Sequence, residues 1–266
     1  MIKITVNGAC GRMGSTIIAN LIEQPDMKLV GALEAEGHPL LGADAGEAAH
    51  LKKLGVKVSA DPESVIKACD AVIDFSSPDI AVECLRCAEK NKKAAVVGTT
   101  GFSSAALQEI GEIAREIAIV LSPNMSVGVN LLFGLVRKIS PLLTDYDIEI
   151  IEAHHKMKKD APSGTALKFA QIIADSLNRD VKKDAVFGRK GITGERKPCE
   201  IGIHAVRGGD TVGEHTIVFA GKGERIELVH RASSRDTFAL GAIKAARFAV
   251  GSPPGLYDME AVLGLK

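Results

Sequence analysis

The residues best suited to chemistry lie in one short stretch of the chain, 152–165. Two adjacent histidines, His154 and His155, can carry a proton near neutral pH, and Lys156, Lys158 and Lys159 follow them with positive charges. Ser163 is a typical N-cap for a following helix, whose first N–H groups attract anions. A proton donor, an ammonium group and an anion site together favour the reduction or isomerisation of a small acidic molecule.

A glycine-rich turn near the N-terminus predicts a second site, for a dinucleotide. The apolar segment 2–6 is typical of a buried strand, and Gly8-Ala-Cys-Gly-Arg-Met-Gly14 follows it and leads into helical spacing. In this context small residues let the backbone approach a pyrophosphate at the start of a helix. The next predicted strand ends at Glu34, about 20 positions past the last glycine, where a carboxylate accepts hydrogen bonds from ribose hydroxyls.

Beyond Glu34, apolar segments alternate with helical patterns, which indicates a parallel sheet with helices on both faces. The predicted strands are 28–34, 56–59, 71–75, 94–98 and 118–122, and the predicted helices are 62–68, 78–90 and 103–117. Ligands of such sheets bind beyond the carboxyl ends of the strands. The loops 75–77, 98–101 and 122–125 are therefore candidates for contacts with the nicotinamide half of a cofactor.

After residue 126 the pattern changes, which predicts a second domain. Its helices are expected at 129–143 and 164–177 and its strands at 147–153, 201–206, 211–220 and 225–231. The final helix, 236–250, resumes the earlier pattern. We therefore predict a Rossmann-like α/β domain, 1–126, completed by 235–266, and a substrate domain, 127–234, with α+β structure and a mixed sheet.

Composition excludes several other classes of protein. The 266 residues are 46% hydrophobic, and 33 basic residues balance 33 acidic ones, which gives no reason to expect nucleic acid or membrane partners. The chain enters its first glycine turn too early for a signal peptide, so a cytosolic location is expected. The five cysteines are scattered. Cys84 and Cys87 fall within a helical pattern, so we interpret them as packing residues and predict no metal site.

With these motifs in hand, the whole chain resembles the 4-hydroxy-tetrahydrodipicolinate (dihydrodipicolinate) reductase family of diaminopimelate and lysine biosynthesis. The resemblance rests on the glycine turn, Asp74-Phe-Ser, Gly98-Thr-Thr-Gly101, the segments 122–130, 233–238 and 254–259, and most specifically on 152–165. It implies an NAD(P)H-dependent oxidoreductase that makes tetrahydrodipicolinate by way of dihydrodipicolinate. It also implies a homotetramer assembled through the sheets of the second domain.

The resemblance further implies a role for each matching position. His154 is expected to exchange the proton, assisted by Lys158, while His155, Gly164 and Thr165 hold a small dicarboxylate. The expected cofactor contacts are Gly8, Ala9, Cys10, Gly11, Arg12, Met13, Glu34, Gly98, Thr99, Thr100, Ser122, Pro123, Asn124 and Met125. Which of the two histidines protonates the substrate is implied by the family alone, because adjacency does not distinguish them.

The residue after Glu34 departs from the pattern of family members that prefer NADPH, which often carry arginine there. Here it is Ala35, and a carboxylate without an adjacent cation should repel the 2′-phosphate, so we predict that NADH is preferred over NADPH, with Arg12 close enough to soften the preference. Two alternatives stay open: another two-domain NAD(P) oxidoreductase, such as an amino-acid or semialdehyde dehydrogenase, or a non-catalytic dinucleotide sensor.

Overall fold

The computed structural model describes residues 1–265. The chain forms two compact units: Met1–Val127 together with the chain from Arg235 onwards, and Gly128–Ser234. A parallel sheet with helices and a separate mixed sheet confirm the predicted α/β fold class. No helix among residues 1–265 combines the length and apolar character needed to cross a bilayer.

Within those described residues, the first unit contains a seven-stranded sheet in the order β12-β6-β5-β4-β1-β2-β3, parallel at every pairing. In chain order its elements are β1 (Ile2–Asn7), α1 (Arg12–Leu21), β2 (Met27–Leu33), α2 (Ala45–Ala48), β3 (Val58–Ser59), α3 (Pro62–Ile66), β4 (Ala71–Asp74), α4 (Pro78–Lys90), β5 (Ala94–Val97), α5 (Ser104–Ile113) and β6 (Ala118–Leu121). After the second unit follow α9 (Asp236–Val250), β12 (Gly255–Tyr257) and α10 (Met259–Val262).

The central strands β4, β5 and β6 are buried on both faces along most of their length, as their continuous apolar sequences predict. One cluster packs α1 and α9 against the sheet, and the other packs α4 and α5 against the opposite face. Cys84 and Cys87 are both buried within α4, which agrees with their interpretation as packing residues. Helix α9 extends this core, with a line of buried small residues that includes Ala239, Ala242 and Ala246.

The second unit holds a five-stranded mixed sheet, counted over the same residues, in the order β11-β10-β7-β9-β8. Its elements are α6 (Val127–Ile139), a 3-10 turn (Ser140–Leu142), β7 (Asp147–His154), α7 (Gly164–Ser176), α8 (Val181–Asp184), β8 (Ala185–Phe187), β9 (Ile201–Arg207), β10 (Gly213–Gly221) and β11 (Glu224–Ala232). Helices α6 and α7 cover one face, where Phe133 and Phe169 pack on Ile148 and Ile150.

Several short elements were not predicted, and four helices end earlier than expected, two of them by only one or two residues. The elements α2, α8, β8, β12 and α10 have three or four residues each, too few for a periodic pattern to be recognised. The predicted helix 129–143 ends at Ile139, because Pro141 lacks the N–H that would continue it. The predicted helix 103–117 likewise ends at Ile113, and the residues before β6 form turns.

Candidate active site and cofactor site

The glycine turn of the first unit has a backbone that only glycine accommodates. Gly8 has φ of +73°, and a Cβ there would lie 2.5 Å from the carbonyl oxygen of Phe75. A Cβ on Gly14 would lie 2.1 Å from the carbonyl oxygen of Gly8, so α1 starts directly against the turn. The residues thus fit a cradle in which a pyrophosphate meets the first amides of α1.

Glu34 lies immediately after β2 and is fixed by backbone donors. Its carboxylate accepts hydrogen bonds from the N–H of Cys10 and from the N–H of Ala35, each 3.0 Å long. This arrangement joins the glycine turn to the end of the neighbouring strand. The half-buried carboxylate lines a cavity of about 180 Å³ together with Asn7 and Ala35.

Two further cavities follow the same edge of the sheet. One, of about 270 Å³, is lined by Gly8, Gly11, Glu34 and Ser76 among others. The next, of about 280 Å³, is lined by Met13, Phe75, Gly98, Pro123, Asn124, Met125, Arg235 and Phe238. Thr99 and Thr100 line a separate apolar cavity of about 230 Å³.

Not every predicted cofactor residue presents its side chain to these cavities. Ala9, Ser122 and Met125 are almost completely buried. The Ser122 hydroxyl donates to the carbonyl oxygen of Asn124 at 2.8 Å, within its own loop. A Cβ on Gly241 of α9 would lie 1.8 Å from the carbonyl oxygen of Met125, so the helix packs directly on this loop. Ser122 and Met125 therefore shape the loop, and only their backbone groups are available to a ligand.

Asp74, at the end of β4, is a residue whose role sequence reasoning missed. Its carboxylate is 1% exposed and accepts hydrogen bonds from the hydroxyls of Thr99 and Ser76 and from the amide of Asn7. Burial raises the pKa of Asp74, while these donors oppose the shift. The carboxylate connects the ends of β1, β4 and β5, which fixes the loops that surround the cavities.

One group of possible metal ligands occurs among residues 1–265. The ligand atoms of Cys10, Glu34 and His38 all lie within 4.8 Å of one another. Burial, and then the neighbouring Glu34 carboxylate, raise the pKa of the Cys10 thiol. These three residues lie where the ribose of a cofactor is expected, because Glu34 is the expected ribose contact. That the protein uses no metal stays a prediction.

In the second unit, strand β7 sets the position of the predicted chemical residues. Successive side chains of a strand alternate between faces, so Glu152 continues the buried face formed by Ile148 and Ile150. The parallel register with β9 pairs His154 with Arg207, and the antiparallel register with β10 pairs Glu152 with His215. Three strands thereby bring four ionisable side chains to one end of the sheet.

Glu152 is the centre of this group. The side chain has no exposed surface, and Arg207 donates to both of its oxygens, at 2.7 and 2.8 Å. One oxygen also lies 2.6 Å from Nδ1 of His154, and the other accepts the N–H of Ser163 at 3.0 Å. Burial alone would raise the pKa of Glu152, but the donors from Arg207, His154 and Ser163 outweigh it and lower that pKa.

His154 is a mostly buried histidine, with 12% of its side chain exposed. Because the Glu152 carboxylate only accepts, Nδ1 of His154 must carry the hydrogen of their 2.6 Å bond. Burial lowers the pKa of His154, and the charge of Glu152 opposes this shift. The structure therefore gives His154 a defined orientation in which Nε2 is the atom able to exchange a proton.

The loop after β7 holds the other predicted residues. The ammonium of Lys158 pairs with the carboxylate of Asp160 at 2.9 Å, and 21% of the lysine side chain is exposed. Nδ1 of His155 is buried and has no hydrogen-bond partner within residues 1–265. Buried polar atoms are almost always hydrogen-bonded, so this nitrogen is an exception within the described residues.

The start of α7 has the predicted N-cap. Ser163 is the N-cap, and its hydroxyl accepts the N–H of Ala166 at 3.2 Å. Gly164 is exposed, and a Cβ there would meet nothing within 4 Å, so a ligand can approach its backbone. Gly164 and Thr165 thus form the first turn of α7, where the helix dipole favours a negative charge.

His215 lies beneath this site and was not predicted to belong to it. It is 3% exposed, Nε2 lies 3.2 Å from the Ser163 hydroxyl, and the ring centroid is 5.3 Å from that of His154. Burial lowers the pKa of His215 to about 3, so it stays neutral and packs as a polar core residue. The alternation of β10 could have placed His215 inside, but no sequence signal connects it or Arg207 to residue 154.

The fold and the two sites define an α/β oxidoreductase of the dinucleotide-binding class. The family model described as "Dihydrodipicolinate reductase, N-terminus" matches residues 2–125. The model described as "Dihydrodipicolinate reductase, C-terminus" matches residues 128–263. The chain belongs to the dihydrodipicolinate reductase family, whose members are NAD(P)H-dependent oxidoreductases. The predicted family is therefore confirmed.

Individual relatives agree with this assignment over the full length. The chain is 49% identical, over 267 aligned residues and 100% of both chains, to the 4-hydroxy-tetrahydrodipicolinate reductases of Geotalea uraniireducens and Syntrophotalea carbinolica. It matches the dipicolinate-bound dihydrodipicolinate reductase of Paenisporosarcina sp. TG-14 with a TM-score of 0.79 and 27% identity, covering 97% of both chains. An amine dehydrogenase from Mycobacterium smegmatis, at 16% identity and TM-score 0.62, shares the fold alone; the match covers 97% of this chain and 95% of that one.

Proposed function

We propose that the protein reduces 4-hydroxy-tetrahydrodipicolinate, by way of dihydrodipicolinate, to tetrahydrodipicolinate in diaminopimelate and lysine biosynthesis. The names of the full-length relatives and the dipicolinate bound to the Paenisporosarcina enzyme support this reaction. The observation that carries the proposal is the arrangement at the end of β7. An oriented histidine, a lysine and the start of a helix lie together there, as protonation and binding of a dicarboxylate require.

His154 is the proposed proton donor. The reduced nicotinamide supplies a hydride when the cofactor is bound, and the ring of the substrate then needs one proton to complete the reduction. Histidine suits this role because its pKa lies near neutral pH, and Nε2 is the ring atom left for exchange. The ammonium of Lys158 assists by compensating developing negative charge and by taking part in proton transfer.

His155, Gly164 and Thr165 are the proposed dicarboxylate ligands. His155 follows His154 directly and adds a second polar ring, and the first turn of α7 provides N–H groups at the positive end of a helix dipole. The two carboxylates of the substrate lose hydration when they bind, and fixed hydrogen-bond donors must replace the lost water contacts. We expect this first turn to take one of the two carboxylates.

The cofactor is assigned to the glycine turn and the neighbouring loops of the first unit. Glycine at 8 and 14 leaves room for a pyrophosphate, and the Glu34 carboxylate suits ribose hydroxyls. We assign the cofactor contacts to the backbone and side chains of 8–13, Glu34, 98–100 and 122–125. For Ser122 and Met125 the contact would be through the backbone.

NADH is the proposed preferred cofactor, because Glu34 is followed by Ala35 and not by a cation. We expect kcat/KM to be higher with NADH than with NADPH, and Ala35→Arg to shift their ratio about tenfold or more toward NADPH. Ala105→Arg adds the same charge on the exposed side of α5 and should leave the ratio unchanged. A wild-type preference for NADPH would contradict the proposal.

A homotetramer through the second unit is also proposed. The sheet face opposite α6 and α7 carries the exposed apolar side chains of Ile151, Val206 and Val229, at 40%, 52% and 39% exposure. These side chains share one face by register, and a sheet with such a face typically buries it against another sheet. Light scattering should give four times the chain mass, and Ile151→Glu should reduce it.

The decisive experiment is a coupled assay. Pyruvate and aspartate semialdehyde are passed through the upstream synthase, and NADH and NADPH oxidation by the protein is followed. Turnover that depends on the synthase supports the proposal. Tight NADH binding without turnover would favour a dinucleotide sensor, and turnover of an amino acid or a semialdehyde without the synthase would favour another two-domain oxidoreductase.

A further inference from the structure

We propose that Glu152 is the positioning residue of the active site: it fixes His154 as the Nδ1–H tautomer, which leaves Nε2 to carry the transferred proton, and it holds the start of α7. This inference rests on the proposed function for the identity of the proton acceptor. It goes beyond that function because it assigns a task to a carboxylate that has no exposed surface and cannot itself contact substrate.

The hydrogen bonds of Glu152 carry the inference. Its oxygen Oε2 serves His154 and Arg207, and its oxygen Oε1 serves Arg207 and the N–H of Ser163. Arg207 also donates to the carbonyl oxygen of Asp160 at 2.7 Å, which ties the loop after β7 to the same carboxylate. One ionised group therefore orients the proton donor, the N-cap of the anion site and the loop between them.

The protonation state of Glu152 follows from these contacts. A buried carboxylate with a bidentate arginine and two further N–H donors is stable as the anion, because every donor favours the charged form. An anion has no hydrogen to offer, so Nδ1 of His154 must donate. The charge of Glu152 also stabilises the imidazolium that donates from Nε2, in the way a buried carboxylate supports histidine in other general acid–base sites.

Other groups facing His154 act in the opposite direction. Arg207 from β9 and Lys158 from the loop after β7 are cationic, and the neutral ring of His215 from β10 lies 5.3 Å away. Without the negative charge of Glu152, two cations and burial would all disfavour the imidazolium. The Glu152→Gln substitution keeps the shape of the side chain. Its one amide oxygen would accept hydrogen bonds from Arg207 and Ser163, so its N–H₂ group would face Nδ1 of His154.

The test combines histidine NMR with kinetics on the full-length protein. Long-range ¹⁵N–¹H spectra, assigned with His154→Gln, should give Nδ1–H for His154 in the wild type and Nε2–H in Glu152→Gln. The titration midpoint of His154 should fall by about one pH unit or more in that variant. The kcat should fall about 10- to 100-fold, with the alkaline limb of its pH profile at lower pH, because loss of the proton inactivates the donor.

Glu149→Gln is the matched control. Glu149 lies on the same strand, is also bonded to arginine and histidine, and points to the other face. It should leave the tautomer and titration of His154 unchanged and kcat within about twofold. The circular dichroism spectrum reports whether the whole chain is folded, and NADH binding, which we assign to the first unit, should be retained in both variants.

The outcomes separate this inference from the proposed function. An Nε2–H tautomer of His154 in the wild type would overturn the inference without any variant, even if Glu152→Gln failed to fold. An unchanged His154 titration in a folded Glu152→Gln protein would also overturn it. Loss of wild-type turnover in the coupled assay would instead remove the proposed function, while the NMR result would still decide whether Glu152 orients His154.

Discussion

Strand β7 carries two carboxylates, Glu149 and Glu152, that have similar partners and different environments. Glu149 accepts hydrogen bonds from Arg189, Arg196 and His204, and Glu152 accepts them from Arg207, His154 and a backbone N–H. An odd separation along a strand places them on opposite faces. Glu149 is 21% exposed, whereas Glu152 has no exposed surface.

The difference shows how one pattern of residues can serve two purposes. On the outer face, Arg189 and Arg196 tie the segment 189–200 to the sheet, and burial of Glu149, which would raise its pKa, is outweighed by Arg189, His204 and Arg196, so that the pKa is about 2. On the inner face, the histidine lies beside the start of α7. A carboxylate–histidine pair can take part in chemistry only where the surrounding structure leaves a place for a ligand, which is what we propose for the end of β7.

The largest expected effect is on kcat, and it distinguishes His154 on the inner face from His204 on the outer face. His154→Gln should lower kcat about 100- to 10,000-fold, because general acid catalysis contributes that much. His204→Gln, which removes the partner of Glu149, should change kcat by about twofold at most. Steady-state kinetics at saturating NADH measure both. Equal losses in the two variants would contradict the distinction between the faces.

The arginines should differ in their effect on stability. Arg207→Met leaves a buried anion without its bidentate partner and should lower the free energy of unfolding by about 3–5 kcal/mol. Arg189→Met should cost only about 1 kcal/mol, since Arg196 and His204 still pair with the partly exposed Glu149. Urea denaturation followed by circular dichroism compares them. A smaller loss in Arg207→Met than in Arg189→Met would refute this ranking.

Acid should act on the outer face through Glu149. A pKa lowered from 4.5 to about 2 in the folded protein means that the unfolded chain binds the proton more readily. The associated stability, about 3 kcal/mol, is fully present above the unfolded pKa and is lost as pH falls toward 2. Glu149→Gln should flatten the stability curve in this range. Urea midpoints of the wild type and the variant, measured from pH 6 to pH 2.5, test this. The same dependence of stability on pH in both proteins would argue against the ion-pair cluster.

The smallest effects should come from two glycines that lie against these groups. A Cβ on Gly213 would be 3.2 Å from Nε2 of His154, so Gly213→Ala should displace the ring slightly and lower kcat about fivefold. A Cβ on Gly202 would be 1.8 Å from an oxygen of Glu149, so Gly202→Ala should reduce stability and leave kcat unchanged. Kinetics and thermal unfolding of both variants test the assignment, and the reverse pattern would exclude it.

Much of the first unit could be predicted, because its information is local. The glycine turn, the strand before it and the acidic residue after the second strand lie within 34 positions of the N-terminus. Helix α4 has the predicted bounds, since Pro78 marks its first turn and its apolar spacing is regular. Asp74 was part of a recognised motif, but its role depends on Asn7 and Thr99, and no local pattern connects these residues.

In the second unit, sequence determined which residue types were available for chemistry. The adjacent histidines, the lysine and the N-cap of α7 lie within one short segment, and each has a preferred role set by its own side chain. Only the tertiary structure decided which of them work together. The pairing of His154 with Arg207 and of Glu152 with His215 depends on strand register, which long-range hydrogen bonds fix and which a shift of one residue would reverse. The surroundings of His154 are therefore set by Glu152, two positions away, and by Arg207, which is more than fifty positions away and reaches Glu152 only through the strand register.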